Sequence, residues 1–507
     1  MADSEKNADV CLILEGTFPY YTGGVSTWTY DLIRTQKDLT FHVVCLLPPD
    51  SRMRYKYEIP HNVVALQNIY LQELPEGSCR LSTAERQQLF RDLESLILNM
   101  LHNPRLKDFT KILDIFKNHK GKFTEETLLN SYEAWQMMVR IYLSLLGDTS
   151  FLNFFWSFRN LMGGFYSLLL APMPKAQIYH TICTGFAGVY MARAAIETGK
   201  PSLITEHGIY TNERRIEIAS ADWLEDMKVM NMSVETSRFE KDLKDYWIDT
   251  FVCYSKLCYQ AASKVVTLYE GNTILQRDDG ADINKIMVIP NGIDYKKYSS
   301  IEHDNNHPPT IALIGRVVPI KDVKTYIYAV SQLKSEISNI RALMIGPSDE
   351  DPEYYEECRQ LVAFLGLESV FEFVGKVVVA DYLGQIDVVL LTSISEAQPL
   401  VILEAGAAGI PCVTTQVGSC PELIYGTSEE VPNLGPAGIV CPLANPDAIA
   451  KAVAKLMTDT MFYDKCSRTI RKRVQRYYQE EQQQEAYANL YHQLLEEAQK
   501  YEPAGVL

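Results

Sequence analysis

Along most of the chain, short uninterrupted apolar runs alternate with segments whose apolar residues recur every three or four positions. The runs read as strands buried on both faces, and the three-to-four spacing reads as helices packed over them. The first run, residues 10–14, ends at Glu15-Gly16 and opens into a loop with paired glycines, Gly23 and Gly24. A helix is predicted from about 26 to 34, and a strand at 41–47 completes a β-α-β unit. From about 78 to 170 the pattern changes. Leu89, Leu93, Leu96, Ile97, Met100 and Leu101 recur at helical spacing, as do Trp135, Met138, Val139, Tyr142 and Leu146. That stretch predicts an α-helical insertion of three to five helices, with Phe151, Phe154, Phe155, Trp156 and Phe158 in its core.

Alternation then resumes, with strands predicted at 177–180, 201–205, 249–254, 264–268 and 286–289. Residues 299–309 are polar, end in two prolines and read as a linker. A second series follows. Its strands are predicted at 310–314, 341–345, 370–374, 387–391, 411–415 and 437–441, and its helices start near Lys321, Pro352, Ala380, Pro399, Ser419 and Pro446. A last helix, 482–500, is long enough to return to the first domain. The chain is thus expected to be α/β, with two Rossmann-like doubly wound domains facing a cleft. The expected boundaries are 1–307, carrying the insertion, then 308–478, then a C-terminal helical segment, 479–507.

Composition narrows the function. The 507 residues are too many for one core and suit two domains. A net charge of −16 disfavours nucleic acid as a partner, since that needs a basic surface. The eleven cysteines are scattered and never spaced Cys-x-x-Cys, so neither a disulfide framework nor a zinc-thiolate site is expected. The N-terminus is polar without a leader pattern, and no 18-residue apolar span occurs; a cytoplasmic protein is expected, with peripheral attachment to a membrane through partners left open.

The candidate chemistry gathers after three strands of the second series. Gly315-Arg316 and Lys321 follow its first strand, a planar fork of donors and a mobile point charge suited to a diphosphate. Gly375-Lys376-Val377 follows its third, where a flat base could rest on backbone. Glu396 follows its fourth, with Pro399 expected at the first helical position, Leu400 and Val401 at the helix start, and Glu404 one turn in. A helix start carries free N–H groups and attracts phosphate. Each signal is weak alone, because a surface ion pair or chance spacing explains it; three at matching strand ends are a strong one. Other features are discounted: Asp349-Glu350-Asp351 as a helix-start acidic cluster, His303 and His307 as linker residues, and the basic run Arg468, Arg471, Lys472, Arg473 and Arg476 as a solvated helix face.

With Gly315-Arg316, Lys321 and the Glu396-x₇-Glu404 pair, the chain resembles the retaining GT-B glycosyltransferases of family four. The resemblance extends to Gly23-Gly24, to Thr205-Glu206-His207-Gly208, and to Pro290-Asn291-Gly292-Ile293-Asp294. Residues 14–20 and 23–28, with the helical insertion, narrow it toward members that build exopolysaccharide. The resemblance implies that Arg316 and Lys321 bind the diphosphate of a UDP-sugar, UDP-N-acetylhexosamine or UDP-glucose, assisted by Leu400 and Val401 at the helix start. Glu404 takes the ribose hydroxyls and Glu396 the sugar. Gly24 closes over the phosphates, and His207 faces the transferred sugar or the acceptor. It further implies transfer with retention, no metal or other cofactor, a saccharide acceptor and membrane-protein partners of a polysaccharide synthase complex. Sucrose- or trehalose-type synthesis, a lipid acceptor, and a non-catalytic scaffold remain alternatives.

Overall fold

The computed structural model describes residues 7–49, 51, 53–146, 149–219, 241–304, 306–337 and 339–500. Most of the polar N-terminal stretch and the end of the C-terminal segment, 501–507, therefore lie outside the described residues. The chain divides into two compact units. The first gathers residues of 1–267, 273–287 and 488–507, and the second those of 268–272 and 288–487.

In the first unit, seven strands run β1 (Ala8–Glu15), β2 (Phe41–Leu47), β3 (Val63–Tyr70), β4 (Ala176–Thr181), β5 (Ser202–Glu206), β6 (Lys264–Thr267) and β7 (Ile286–Val288). They lie side by side in the order β3-β2-β1-β4-β5-β6-β7. The order reverses between β1 and β4, where open sheets of this kind leave a crevice at the carboxyl ends of the strands. The insertion consists of the α-helices Thr83–His102, Leu106–Asn118, Tyr132–Leu145 and Phe151–Leu170, with a π turn at Glu126–Asn130. Ser82 caps the first of these in a reciprocal capping box with Glu85. Its apolar faces merge with Cys11, Ile13, Val44 and Leu46 of the sheet into one core. Phe154 and Phe158 are buried there, whereas Trp156, 57% exposed, points away.

In the second unit, six strands run β8 (Thr310–Ile314), β9 (Arg341–Ile345), β10 (Phe371–Gly375), β11 (Val388–Leu391), β12 (Cys412–Thr415) and β13 (Gly438–Cys441). Their order is β10-β9-β8-β11-β12-β13, and their pairings are parallel. Alternate residues of the same strands serve two cores. Ile311, Leu313, Val388 and Leu390 enter one, while Ala312, Val389 and Leu391 enter the other. Successive side chains of a strand point to opposite faces, so strands apolar at every position demand cover on both sides. The helices supply it.

Several expectations are corrected. Residues 249–254, expected as a strand, lie inside the helix Leu243–Ala261, started by Asp242 in a capping box with Asp245. Its β-branched and aromatic residues mimic a strand, but Tyr246, Thr250, Phe251, Cys253, Tyr254 and Leu257 are buried at helical spacing. Strand β3, mixed in polarity and only partly buried, escaped the apolar-run criterion. The basic run 468–476 is not a uniformly solvated face. Arg473 is fully buried and forks onto Glu430 at 2.6 and 2.9 Å, while Arg471 donates to the Ala408 carbonyl at 2.7 Å. Arginine tolerates this because its planar donors are matched pairwise by a carboxylate. No described helix is long and apolar enough to cross a membrane.

Candidate active site

The second unit builds its site at the reversal between β8 and β11. The chain leaving β8 is tied to the chain leaving β11. Ile394 N–H donates to the Ile320 carbonyl at 2.9 Å, and Thr392 Oγ1 to the Lys321 carbonyl at 2.8 Å. Thr415 Oγ1, at the end of β12, donates to Ser393 O at 2.7 Å. These ties bring Lys321 Nζ into contact with Glu396 Oε1, which also accepts from Ser393 Oγ at 2.6 Å. Both side chains are mostly buried, 22% and 13% exposed, so the pair keeps more of its Coulomb attraction than a surface pair would.

Beside them begins the helix Leu400–Ala408. Pro399 is its N-cap rather than its first helical residue, and no side chain caps it. There is also no acidic residue in its first turn, so no carboxylate within the helix offsets its positive end. Lys321, Glu396, Pro399, Leu400 and Val401 line one cavity of about 250 Å³, together with Ser393 and Gln398. Gly418, at φ +49°, lies so close beneath the Glu396 and Ala397 carbonyls that a Cβ would come within 2.3 Å of both. A side chain there would push the Glu396 loop out of place.

Arg316 stands apart from this cavity. Half exposed, it donates from Nη1 to both carboxylate oxygens of Glu350, at 2.5 and 2.6 Å. The acidic cluster Asp349-Glu350-Asp351 thus has two structural duties, since Asp351 caps the helix Pro352–Phe364 as expected of a helix-start cluster. Lys376 is exposed and Val377 half-buried after β10; neither lines the cavity. Glu404 lies one turn along the helix, where its Oε1 accepts from Tyr298 Oη at 2.9 Å. Burial pushes the Glu404 carboxyl above the usual range, and the Tyr298 hydrogen bond pulls it partly back.

Tyr298 is positioned by Pro290-Asn291-Gly292-Ile293-Asp294. Asn291 N–H donates to Gln398 Oε1 at 2.7 Å, and Asp294 caps the short helix Tyr295–Ser299. A Cβ on Gly292 would meet the Gln479 backbone at 2.3 Å. Tyr298, Ser393, Gln398 and Glu350 were missed as site residues in the sequence; each acts through a fold-made contact, and only Ser393 and Gln398, three residues before and two after Glu396, lay near enough to be suspected.

The first unit offers different chemistry at its own carboxyl edge. His207 follows β5, with the Trp28 ring edge-on at 4.6 Å. Its Nε2 is buried with no hydrogen-bond partner, and burial holds its pKa down at about 4, so it is neutral at pH 7. Next to it Glu206 is wholly buried, and accepts from Tyr259 Oη and, at 2.8 Å, from Gln276 Nε2. Burial raises its pKa to about 7, against the pull of these hydrogen bonds. Glu15, ending β1, accepts from Tyr210 Oη at 3.1 Å and from Ala187 N–H at 3.2 Å. Neither carboxylate had been singled out, because burial and partners decide their character. Gly23 precedes, and Gly24 starts, the helix Gly24–Thr35; a Cβ on either would meet nothing within 4 Å, and Gly24 has no left-handed φ. Packing and conformation in the described chain give no reason for glycine at Gly24.

Two parallel doubly wound domains with this edge geometry define a chain of the GT-B type. Solved structures agree in fold: Anabaena HepE in complex with UDP, at TM-score 0.58 and 14% identity, covering 96% of this chain and 100% of that one; and sucrose-phosphate synthase from Thermosynechococcus elongatus, at 0.57 and 18%, with the same coverage. The chain belongs to the family described as a domain of unknown function, DUF3492, whose model matches residues 8–284, and residues 294–473 match the group 1 glycosyl transferases. Curated relatives include N-acetyl-α-D-glucosaminyl L-malate synthase of Bacillus anthracis, 29% identical over 177 residues, 35% of this chain and 43% of that protein. D-inositol 3-phosphate glycosyltransferase of Kribbella flavida is 28% identical over 216 residues, 39% of this chain and 47% of that protein. The chain spans less than half the length of these two relatives.

Proposed function

We propose that the chain is a retaining, metal-independent glycosyltransferase that moves a sugar from a UDP-sugar, UDP-N-acetylhexosamine or UDP-glucose, to a growing exopolysaccharide at the cytoplasmic membrane face. The observation that carries this is the cavity at the β8/β11 reversal, where a lysine–glutamate pair stands before an uncapped helix start. The group 1 glycosyl transferase match over the same residues supports it, as do fold neighbours solved with UDP, with UDP and glucose, and with UDP-glucose.

In this reading the diphosphate lies across the start of Leu400–Ala408. Its charge competes with Glu396 for Lys321, and Arg316 swings from Glu350 to join it. The bond between the anomeric carbon and the β-phosphate oxygen breaks, and the acceptor oxygen bonds the same carbon from the same face. The acceptor's proton passes to the leaving phosphate. Lys321 and the helix start stabilise the charge that develops there, which is the work a metal does elsewhere. Glu396, near the anomeric carbon, steadies the sugar's hydroxyls and positive charge. Glu404 takes the ribose hydroxyls, with Tyr298 holding its carboxylate, and Lys376 and Val377 border the base. Neutral His207 offers Nε2 to a sugar hydroxyl, and Gly24 lets backbone approach the phosphates.

The exopolysaccharide acceptor rests on residues 14–20 and 23–28 and the helical insertion, which are similar to those of PelF, the Pel exopolysaccharide glycosyltransferase of biofilm formation. Membrane-protein partners follow from the same resemblance. A second reading, a small-molecule acceptor, is favoured by relatives whose names specify malate and inositol phosphate. Thermal-shift screening of nucleotide-sugars, then product analysis with the best donor against oligosaccharide and small polyol acceptors, separates the two. Lack of stabilisation by any nucleotide-sugar would overturn both.

A further inference from the structure

The polar segment before β8 carries His303 and His307, and the fold sets both against Asp387, the residue before β11. His303 Nε2 lies 3.4 Å from Asp387 Oδ1, and His307 Nδ1 lies 3.9 Å from Asp387 Oδ2. The two imidazoles meet edge to face, with centroids 5.4 Å apart. One ligand atom from each of the three residues lies within 4.8 Å of the other two.

Three further observations separate this cluster from a pair of surface contacts. His307 is nine-tenths buried, and its Nε2 is buried with no hydrogen-bond partner. Its Nδ1, the nitrogen facing Asp387, lies 2.8 Å from the Pro308 carbonyl, which can only accept, so the proton sits on Nδ1 and the bare lone pair on Nε2, and the ring must turn for Nε2 to reach the ion. An imidazole whose second nitrogen donates to a backbone carbonyl is fixed in the tautomer a metal requires. Asp387 is also oriented from behind, its Oδ2 accepting the Thr310 N–H at 2.7 Å. Finally, His307 and Asp387 line an open groove of about 560 Å³, which gives an ion a way in and a water room to complete the coordination.

We propose that His303, His307 and Asp387 bind a divalent transition-metal ion of the zinc class. Two imidazoles and one carboxylate are a borderline donor set that suits Zn²⁺ with water in the fourth position. Ligands about 2.0–2.1 Å from zinc stand roughly 3.3 Å apart in a tetrahedron, so the widest spacing contracts by at most about 1.5 Å. His303, 36% exposed and on a loop, has the freedom to make that movement. The ion ties the segment bearing the histidines to the amino ends of β8 and β11. The proposed donor cavity lies at the carboxyl ends of those strands, so the ion is structural and takes no part in transfer.

The test is titration of the metal-stripped full chain with Co²⁺ by visible absorption and with Zn²⁺ by calorimetry, using wild type, His303→Gln and His307→Gln. The expected result is one ion per chain, a tetrahedral Co²⁺ spectrum without thiolate charge-transfer absorption, and at least about tenfold weaker binding in each variant. Zinc is also expected to raise the wild-type Tm and to raise that of His303→Gln less at the same zinc concentration. Matching metal-free Tm values for wild type and His303→Gln confirm that the exposed substitution spares the fold. Absence of stoichiometric binding, wild-type affinity in both variants, or a thiolate-dominated spectrum would overturn the site. UDP binding is expected to be equal in all three proteins, so this outcome is independent of the proposed function.

Discussion

The carboxyl edges of the two sheets share a strand order and differ in electrostatics. In the second unit, Lys321 and Glu396 meet as an ion pair in front of a helix start that no side chain caps. In the first, burial suppresses the ionisation of three groups: His207, and His180 near the end of β4, are held neutral, with pKa values down at about 4 and 3, and Glu206 is raised to about 7. The two clusters also stand at different strand ends, after β8 and β11 in the second unit and at β4 and β5 in the first. The charged edge suits a polyanion, whose binding is paid in Coulomb energy and helix-end N–H groups. The neutral edge suits hydroxyl groups, which are recognised by hydrogen bonds and repelled by nothing.

The largest expected effect comes from erasing the charged edge's carboxylate. Glu396→Ala is predicted to reduce turnover by about 10²-fold or more, with some fall in Tm, because it takes the shared acceptor away from mostly buried Lys321 and from the buried Ser393 hydroxyl. Steady-state product formation checks this, and near-wild-type kcat would contradict the role.

The next prediction concerns the neutral edge. Glu206 has a folded pKa of about 7, above the ordinary carboxylate value, so its neutral form contributes stability that is fully present below about pH 4.5. That contribution is lost as pH rises through 7, and amounts to roughly 3 kcal/mol for a shift of this size. The lowered histidines act with the opposite sign: their contribution is present above about pH 6.5 and lost as pH falls through 4 and then 3. Glu206→Gln is therefore expected to flatten the fall in denaturant stability between pH 5 and 8 while leaving the acid limb unchanged. An unaltered alkaline slope would mean that Glu206 is ionised in the folded protein.

How far these edges could be read from the sequence follows the same division. The charged edge was legible because its residues stand immediately after apolar strands, where sequence spacing and spatial spacing coincide. The six strands of the second unit were located within one or two residues for that reason. What spacing could not convey was selection among neighbours: Lys321 joins Glu396, whereas Arg316 turns to Glu350. The neutral edge was nearly illegible. Glu206 and His207 are adjacent in sequence, yet one is wholly buried under Tyr259 and Gln276, residues 53 and 70 positions away, and that burial sets its pKa. Residues 249–254 failed for a related reason, since tertiary packing overrode their β-propensity.

Smaller effects sharpen the contrast further. Tyr298→Phe removes the hydroxyl donor to Glu404 and is expected to weaken UDP binding by about 1 kcal/mol, read by calorimetry; no change would detach Glu404 from the nucleotide. Gly24→Ala is expected to leave stability within about 0.5 kcal/mol, since its Cβ meets nothing in the chain, and to raise KM for the donor. A loss of stability with unchanged KM would make Gly24 a folding residue.

The central claim is that the cavity between the ends of β8 and β11 binds the diphosphate of a nucleotide-sugar. Its most direct measurement is calorimetric titration of UDP into wild type and Lys321→Ala. The predicted result is one site per chain in wild type and a loss of about 1–3 kcal/mol in the variant, appropriate to a charged hydrogen bond. Equal affinity in the two proteins would contradict it.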